Sequence, residues 1–309
     1  MSYSNIVRSE EYKRDLIGFI KTEYEIETLK LIPASRGFYG ETWRLDANDK
    51  SYFVKLVYNT AHKIIYERSF HIIQHLCNHG IDFISRIVKT KNSSPYAKFD
   101  NAILGVFDWI DGENIETDAT KIPEYQMLAK VYAVPSKGLN IPLEDFSGHS
   151  VDKFCEQWNA LDDEQILTLL EKNRAKLEHR AERLKIFSKR CQNSDTKDFV
   201  ITHGDAGGNL IVSGDKYFIV DWDHPILAPA ERDAWVMCSK DWAQDAFHDA
   251  LRQNNITYTL RPERLAYYCY YFFFFYLSAY LDDLTQADTI EEHINGWIEE
   301  TIKYADSIP

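Results

Sequence analysis

Acidic residues flank a short apolar hairpin in residues 201–223 (ITHGDAGGNLIVSGDKYFIVDWD). Asp205 and Asn209 precede the first apolar arm, and Asp221 and Asp223 follow the second. Carboxylates at the ends of a buried hairpin repel one another and are costly to desolvate, and a divalent cation relieves both problems. Oxygen ligands from Asp and Asn favour Mg²⁺, which commonly completes its coordination with substrate phosphates. The segment therefore indicates a site for a metal and a nucleotide.

The alternative for this segment is a surface turn whose acids bind no metal. The acids flank apolar strands rather than a polar loop, and this favours the metal site. No Walker-type sequence, Gly-x-x-x-x-Gly-Lys-Ser/Thr, is present, which argues against a P-loop fold for the nucleotide site.

A lone lysine interrupts an apolar strand upstream of the hairpin. Lys55 lies in the sequence FVKL, and a buried ammonium needs an anion nearby. The alternative is that Lys55 is a charge on an edge strand. Residues 35–42 (SRGFYGET) join two predicted strands before it, and Gly37 and Gly40 would let backbone N–H groups approach a phosphate. A plain hairpin turn is the alternative for this loop.

The acidic hairpin resembles the catalytic segment of the aminoglycoside phosphotransferase and choline kinase family. The resemblance rests on His203-Gly204-Asp205, on Asn209, and on Asp221-Trp222-Asp223. In that family these residues replace the His-Arg-Asp and Asp-Phe-Gly signatures of protein kinases. The following residues 225–233 (PILAPAERD) look especially like the spectinomycin phosphotransferases of the family. The resemblance extends over residues 30–280.

The resemblance implies a role for each polar residue of the hairpin. Asp205 is implied as the catalytic aspartate, which accepts or orients the proton of the acceptor hydroxyl. Asp221 is implied as the Mg²⁺ ligand between the β- and γ-phosphates, and Asn209 as the second metal ligand. Asp223 would assist the metal or shape the site, and His203 would pack behind the loop.

The resemblance also implies how the nucleotide is held. Lys55 would bind the α- and β-phosphates, and Glu67 on the next helix would be its ion-pair partner. The alternative makes Glu67 a solvated helix acid. Residues 107–111 (FDWID) would form the hinge, where backbone groups of Asp108 and Ile110 meet adenine.

One departure from the family concerns the loop between Asp205 and Asn209. The family usually has four residues between these positions, whereas this chain has three, Ala206, Gly207 and Gly208. Adjacent glycines adopt backbone angles that are closed to other residues, so a tighter loop is able to deliver Asn209.

Periodicity predicts a small β-rich segment followed by a mostly helical one. Strands are predicted over 27–33, 41–45, 51–57, 84–89 and 102–109, with a helix over 64–79 and a polar loop over 92–100. Later in the chain, a hairpin turn is predicted over 213–216 and a helix over 163–190. With the resemblance, this predicts an α+β, bilobal protein-kinase-like fold. Its nucleotide-binding N-terminal lobe would span residues 1–110, and its larger catalytic and acceptor-binding lobe would span residues 111–309.

The amino-acid composition limits the classes of partner that this protein is expected to bind. A net charge of −13 and the lack of any Lys/Arg-rich run argue against nucleic-acid binding. The acidic charge is compatible with a cationic ligand and equally with ordinary solubility. The aromatic run at 267–277 (YYCYYFFFFYL) is too short for a membrane span of ~20 residues and predicts a buried helix. Scattered cysteines and a polar start at residues 1–11 indicate a reduced cytoplasmic protein.

The sequence thus predicts an ATP- and Mg²⁺-dependent phosphotransferase that moves the γ-phosphate to a hydroxyl of a small molecule. An aminoglycoside or an aminocyclitol such as spectinomycin is the first acceptor to consider, which would imply antibiotic resistance. Choline, homoserine and thiosugar kinases share the core, so the acceptor stays open. A pseudokinase-like nucleotide-binding module is the alternative that the shortened loop supports, and a magnesium-dependent hydrolase is a third. A monomer and a homodimer are both compatible with the sequence.

Overall fold

The computed structural model describes residues 8–34, 40–282 and 287–309. The contacts within the chain divide it into two compact units. Unit 1 comprises Met1–Pro142 and His203–Pro225, and unit 2 comprises Leu143–Thr202 and Ile226–Pro309. The segment with the acidic hairpin thus groups with the N-terminal half of the chain. The lobe boundary near residue 110 stays a prediction.

The strands are β1 (Thr28–Pro33), β2 (Glu41–Ala47), β3 (Ser51–Val57), β4 (Ile87–Val88), β5 (Ala97–Phe99), β6 (Ala102–Asp108), β7 (Glu113–Asn114), β8 (Val200–Thr202), β9 (Leu210–Ser213), β10 (Lys216–Ile219) and β11 (Ile226–Ala228). The α-helices are α1 (Glu10–Tyr24), α2 (Thr60–Asn78), α3 (Asp118–Tyr132), α4 (His149–Ala160), α5 (Glu164–Lys172), α6 (Arg174–Cys191), α7 (Glu231–Ala234), α8 (Asp241–Gln253), α9 (Pro262–Asp282), α10 (Ala287–Asn295) and α11 (Glu299–Ser307).

Unit 1 is organised around an antiparallel sheet. Its strands follow the order β1-β2-β3-β6-β4, and β5 also pairs with β6. In the middle of this sheet, Lys55 on β3 lies opposite Thr42 on β2 and Gly105 on β6. A second sheet in unit 1 has the order β10-β9-β7, in which β9 and β10 form the predicted hairpin around residues 213–216.

The two faces of the main sheet are covered by different helices. Side chains alternate along a strand, so Val54 points to the face opposite that of Lys55. Val54 belongs to the same buried cluster as Leu16 and Ile20 of α1. On the Lys55 face, a Cβ at Gly105 would come closer than 3.0 Å to Phe70 and to the Tyr66 hydroxyl of α2. The missing side chain at Gly105 therefore lets α2 pack closely behind Lys55.

Some predicted elements differ from the observed ones. The strand predicted over 84–89 is reduced to β4, and β5 forms within a segment predicted as a polar loop. Both strands depend on pairing with β6, and elements this short show no detectable periodicity. A single helix predicted over 163–190 is divided into α5 and α6. At the break, the side-chain amide of Asn173 donates a hydrogen bond to the carbonyl of Leu169 (2.9 Å).

Unit 2 is built around the aromatic helix α9. Its side chains are buried along most of its length, Tyr267, Tyr268 and Phe273 being among the largest fully buried side chains of the chain. α9 packs against α4, α6, α10 and α11. The prediction of a buried core helix is thus confirmed. Within the described residues, no helix is both long and apolar enough to cross a membrane.

A buried carboxylate, Glu231, lies at the start of α7 in unit 2. It accepts hydrogen bonds from the hydroxyl of Tyr258 (2.8 Å) and from the backbone N–H of Arg261 (2.6 Å). Burial raises the pKa of Glu231 to about 7, although these donors and the nearby Arg264 favour the ionised form. At pH values between 4.5 and about 7, the folded protein therefore holds a proton at Glu231 that the unfolded chain has already released.

Replacing Glu231 by glutamine tests this pKa shift. Between the ordinary pKa of 4.5 and the folded pKa of about 7, the folded state binds more protons than the unfolded state. The stabilisation is complete below pH 4.5 and is lost as the pH rises through 7. We expect the free energy of unfolding of the wild type to fall relative to that of Glu231→Gln by up to ~3 kcal/mol over this range.

Urea denaturation between pH 4.5 and pH 8 measures this difference. Glu156→Gln, at an exposed position on α4, is the matched control and should give a difference that does not change with pH. A pH-independent difference between the wild type and Glu231→Gln would contradict the raised pKa.

Candidate active site

His203 organises the loop that carries Asp205. The imidazole is 5% exposed and packs edge-on against the Trp222 ring, with a centroid distance of 4.6 Å. Its Nδ1 accepts the backbone N–H of Asp205 (3.2 Å), so the ring proton lies on Nε2, which donates to the carbonyl of Val220 (2.9 Å). His203 therefore connects the backbone of Asp205 to the residue just before Asp221.

The shortened loop brings Asn209 to Asp205. The side-chain amide of Asn209 donates to the backbone carbonyl of Asp205 (2.7 Å) and to its Oδ2 (3.2 Å). Residues Gly207–Asn209 form a single 3₁₀ turn, closed by the Asn209 N–H on the carbonyl of Ala206 (3.0 Å). Neither Gly207 nor Gly208 has a positive φ, so the prediction that these glycines adopt backbone angles closed to other residues is wrong, although Asn209 still meets Asp205.

The far end of the hairpin is held by the same backbone. The N–H of Val220 donates to the carbonyl of Asn209 (3.0 Å), which complements the contact from His203 to the Val220 carbonyl. Asp221 follows with a φ of 62°, in the left-handed region that Asp tolerates better than most residues. The loop of Asp205 and the turn of Asp221 are therefore fixed to each other within unit 1.

Lys55 reaches both acids of this turn. Its Nζ lies 3.0 Å from Oδ1 of Asp221 and also forms an ion pair with Oδ2 of Asp223. Lys55 is 8% exposed, and the ring of Tyr66 lies 5.5 Å from its Nζ. The expectation of an anion beside the buried lysine is met, since the carboxylates of Asp221 and Asp223 both converge on its ammonium.

Lys55, Asp221 and Asp223 form a charged triad, and the charge of each residue shifts the pKa values of the others. Burial opposes the charged form of Lys55, but Asp221 and Asp223 outweigh it and raise the pKa of the ammonium above its usual value. Burial and the neighbouring Asp221 raise the pKa of Asp223 to about 6. Burial acts to raise the pKa of Asp221 as well, but the Lys55 ammonium outweighs this effect and holds the pKa below its usual value. One positive charge is thus shared by two carboxylates.

Glu67 is not the partner of Lys55. In the part of the chain that the structure describes, no ion pair joins the two side chains, and Glu67 instead interacts with the hydroxyl of Tyr96. The physical reason is that Asp221 and Asp223 lie together and need a cation more than a half-buried helix acid does. The predicted Lys55–Glu67 pair is therefore replaced by the Lys55–Asp221–Asp223 triad.

The glycine loop and the hinge are only partly defined. Gly37 lies outside the described residues. A Cβ at Gly40 would lie 2.7 Å from the carbonyl oxygen of Leu56, so this glycine lets the chain pass close to β3. Asp108 uses both backbone groups internally, since its N–H donates to Arg86 and its carbonyl accepts from Ser85. Ile110 follows the end of β6. The assignment of Asp108 and Ile110 as the hinge stays a prediction.

The carboxylate oxygens of Asp221 and Asp223 are suitable ligands for a hard cation. Asp221 and Asp223 already converge on the Lys55 ammonium, and carboxylate oxygens of this kind suit Mg²⁺. Across residues 8–34, 40–282 and 287–309, no group of three or more His, Cys, Asp or Glu side chains is arranged to hold a metal. A bound Mg²⁺ would therefore need oxygens from Asn209, from solvent or from a substrate phosphate.

A cation next to the Asp205 loop was not predicted from sequence. Lys121 and Glu124 stand one turn apart near the start of α3, a spacing that is typical of solvated helix surfaces. Both are buried in the structure, at 2% and 1% exposure, and Lys121 lies against Gly207. The only sequence signal was the pair of adjacent glycines, which leaves room for an outside side chain.

The match to a protein family defines the class of this protein. The chain belongs to the phosphotransferase enzyme family whose profile matches residues 30–268, more than two thirds of its length. The family makes it a phosphotransferase, and its fold is the protein-kinase-like fold of the solved structures that it resembles.

Among solved structures, spectinomycin phosphotransferase in complex with ADP and spectinomycin superposes with a TM-score of 0.75 at 20% identity, over 95% of this chain and 97% of that one. Choline kinase from Streptococcus pneumoniae has a TM-score of 0.66 at 14% identity, over 96% of this chain and 100% of that one. Amicoumacin kinase, in complex with AMP-PNP, Ca²⁺ and its antibiotic, has a TM-score of 0.62 at 13% identity, over 98% of this chain and 97% of that one. A search of curated proteins finds no significant match.

The Lys55 triad gives a stability prediction. Lys55→Met leaves two neighbouring carboxylates without their cation. Because the Asp221 side chain is 49% exposed, we expect a loss of about 2 kcal/mol in the free energy of unfolding, less than for a fully buried pair. Adding Asp223→Asn to Lys55→Met should recover most of this loss, since one unpaired charge is removed.

Urea denaturation at neutral pH measures both variants. Lys50→Met is the matched control, because Lys50 also pairs with an aspartate, Asp108, but at an exposed position where ~0–1 kcal/mol is expected. Equal losses for Lys55→Met and Lys50→Met, or no recovery in the double variant, would show that the triad does not stabilise the fold.

Proposed function

We propose that this chain transfers the γ-phosphate of ATP to a hydroxyl of a small molecule, with Mg²⁺ as the cofactor. The observation that carries the proposal is the convergence of Lys55, Asp221 and Asp223 in the same compact unit as the Asp205–Asn209 loop. A lysine and a pair of carboxylates on one side, with an aspartate held by a short loop on the other, are the parts that phosphoryl transfer needs.

Lys55 binds the α- and β-phosphates in this proposal. Its ammonium is positively charged, buried and already directed at the two acids, so it meets an incoming triphosphate without a desolvation cost of its own. The ADP bound in spectinomycin phosphotransferase and the AMP-PNP bound in amicoumacin kinase support nucleotide use. Gly37 and Gly40 would lie over the phosphates, and backbone groups of Asp108 and Ile110 would meet adenine.

Asp221 holds the Mg²⁺, with Asn209 and Asp223 as its further ligands. When bound there, the ion would supply positive charge to offset that of the β- and γ-phosphates. Asp221 suits this task because its pKa lies below the usual value, so its carboxylate is ionised at neutral pH. Asp223, whose pKa is about 6, shares Lys55 with it and balances the local charge when the ammonium moves to phosphate.

Asp205 accepts or orients the proton of the acceptor hydroxyl. Its backbone is fixed by Nδ1 of His203, and its carboxylate receives the amide of Asn209. The residue is exposed to solvent, which gives an acceptor access to it. Since the chemistry of phosphoryl transfer is mainly positioning and charge neutralisation, a fixed carboxylate of this kind contributes chiefly by orientation.

For the acceptor, we propose an aminoglycoside or an aminocyclitol such as spectinomycin, which would make the enzyme a determinant of antibiotic resistance in the cytoplasm. The net charge of −13 suits a cationic acceptor. Choline, homoserine and thiosugar acceptors are the alternatives that the shared core allows. Residues 1–110 would act as the nucleotide-binding lobe and residues 111–309 as the catalytic and acceptor lobe, in a monomer or a homodimer.

Two aspartate variants separate catalysis from nucleotide binding. Asp205→Ala should lower kcat by ~10³-fold and leave the Kd for Mg·ATP near that of the wild type, because Asp205 acts on the acceptor. Asp221→Ala should weaken Mg²⁺-dependent ATP binding on the order of 100-fold, because it removes the main metal ligand. Calorimetry and a coupled ADP-release assay measure the two effects.

Asp215→Asn, in the exposed turn of the β9–β10 hairpin, is the control and should leave both quantities unchanged. Full activity in Asp205→Ala would remove that residue from the mechanism.

An acceptor screen with ATP and Mg²⁺ tests the reaction itself. Aminoglycosides, spectinomycin and small amino alcohols form the panel, and product is followed as acceptor-dependent ADP release and by the added phosphate mass. ATP binding with no turnover on the whole panel would favour the nucleotide-binding module. Phosphate release at the same rate without acceptor would favour a hydrolase.

A further inference from the structure

A buried lysine of α3 lies against the loop that joins Asp205 to Asn209. Lys121 is 2% exposed, and its Nζ forms ion pairs with Glu124 (3.0 Å) and Glu116 (3.2 Å). A Cβ built on Gly207 would lie closer than 3.0 Å to this ammonium, an approach that real Cβ atoms do not make. The ammonium of Lys121 therefore occupies the space that a side chain at position 207 would need.

The ammonium of Lys121 is held in this place by its partners. Burial disfavours its charged form, but Glu124 and then Glu116 outweigh that cost and raise its pKa above the usual value. Glu124 is 1% exposed, so moving the ammonium away would leave a carboxylate buried without this cation. The end of a lysine side chain is normally free to yield to a neighbour, but here that movement is costly.

The residues just before α3 are attached to the same loop. The side-chain amide of Asn114 donates to the carbonyl of Gly208 (2.6 Å). The backbone of Ile115 donates to the carbonyl of Leu210, and β7 pairs with β9. Residues 113–124 thus contact the loop through Gly207, Gly208 and Leu210, while Asn209 between them faces Asp205.

We propose that Lys121 is a positioning residue for phosphoryl transfer: ion-paired to Glu124 and Glu116, its ammonium fills the place of a side chain at Gly207 and holds the short 205–209 loop in the form that joins Asn209 to Asp205. The inference rests on the proposed function for its catalytic consequence. Its structural claim is that the Lys121 ammonium needs the space that Gly207 leaves, and that the loop at Gly207 needs this ammonium to keep its form.

A double-mutant cycle tests this requirement. Lys121→Ala with Glu124→Gln removes the ion pair and opens space without leaving an unpaired buried carboxylate. Gly207→Ala should lower kcat by ~30-fold in the wild-type background and by less than ~3-fold in the Lys121→Ala/Glu124→Gln background. The KM for ATP should stay nearly constant throughout, because a displaced loop affects the transfer step rather than nucleotide binding.

Two control variants match the substitutions. Gly18→Ala introduces a methyl group on α1 where nothing lies within 4 Å. Lys137→Met removes an exposed lysine shortly after the end of the helix that carries Lys121. Both should leave kcat and KM unchanged. An equal cost of Gly207→Ala in both backgrounds, or a rise in the KM for ATP that accounts for the whole effect, would overturn the proposal.

Hydrogen exchange provides a readout that needs no acceptor. The N–H groups of Asp205 and Asn209 are hydrogen-bonded within the loop and report its conformation. In Lys121→Ala/Glu124→Gln we expect these amides to exchange ~10-fold faster, with the exchange of α1 unchanged. Unchanged exchange at Asp205 and Asn209 would reject the positioning role. If the wild type transfers no phosphate, the proposed function fails, while this measurement still decides the inference.

Discussion

The ion pairing of Lys55 with Asp221 and Asp223 is the interaction on which the rest of unit 1 depends. A buried ammonium and two neighbouring carboxylates are each unfavourable alone, and each offsets part of the cost of the other. The main sheet must therefore present Lys55 on the face away from α1, and the hairpin must end where the ammonium lies. Gly105 allows this by leaving room for α2 behind the lysine.

The loop of Asp205 follows from a different constraint, the hydrogen-bond needs of the backbone around Val220. The His203 imidazole donates to the carbonyl of Val220, and the backbone carbonyl of Asn209 accepts the Val220 N–H. The His203 ring also accepts the backbone N–H of Asp205, while the side-chain amide of Asn209 donates to the Asp205 carboxylate. Asp205 and the turn of Asp221 are thus kept in register by contacts that involve the backbone. Within this loop, Gly207 leaves room for the ammonium of Lys121.

Unit 2 buries many tyrosine side chains. An aromatic ring contributes much apolar area, but a buried phenol hydroxyl still needs a partner. The hydroxyl of Tyr268 donates to Glu144 and that of Tyr267 to the carbonyl of Ser147, both in the segment before α4. Tyr258 similarly donates to Glu231. Hydrogen bonds therefore join the aromatic helix to the segment that packs on it. They fix the position of a helix whose other contacts are mainly apolar.

Patterns that are local in sequence predicted much of this protein. Alternation revealed β2, β3 and β6, turn residues revealed the β9–β10 hairpin, and the spacing of Asp205, Asn209, Asp221 and Asp223 indicated the site, because period and chain proximity are properties of the sequence itself. Short strands such as β5 and the break at Asn173 were not predicted, since their formation depends on a partner strand or on a single side-chain contact.

Choices among distant partners were decided only by the tertiary structure. Sequence showed that Lys55 needs an anion but not that Asp221 and Asp223, rather than Glu67, would reach it. It also showed two adjacent glycines, but not that a lysine of α3 would fill the space beside Gly207. The reason is that buried charges choose partners by distance and by desolvation, and both are set by how the elements pack.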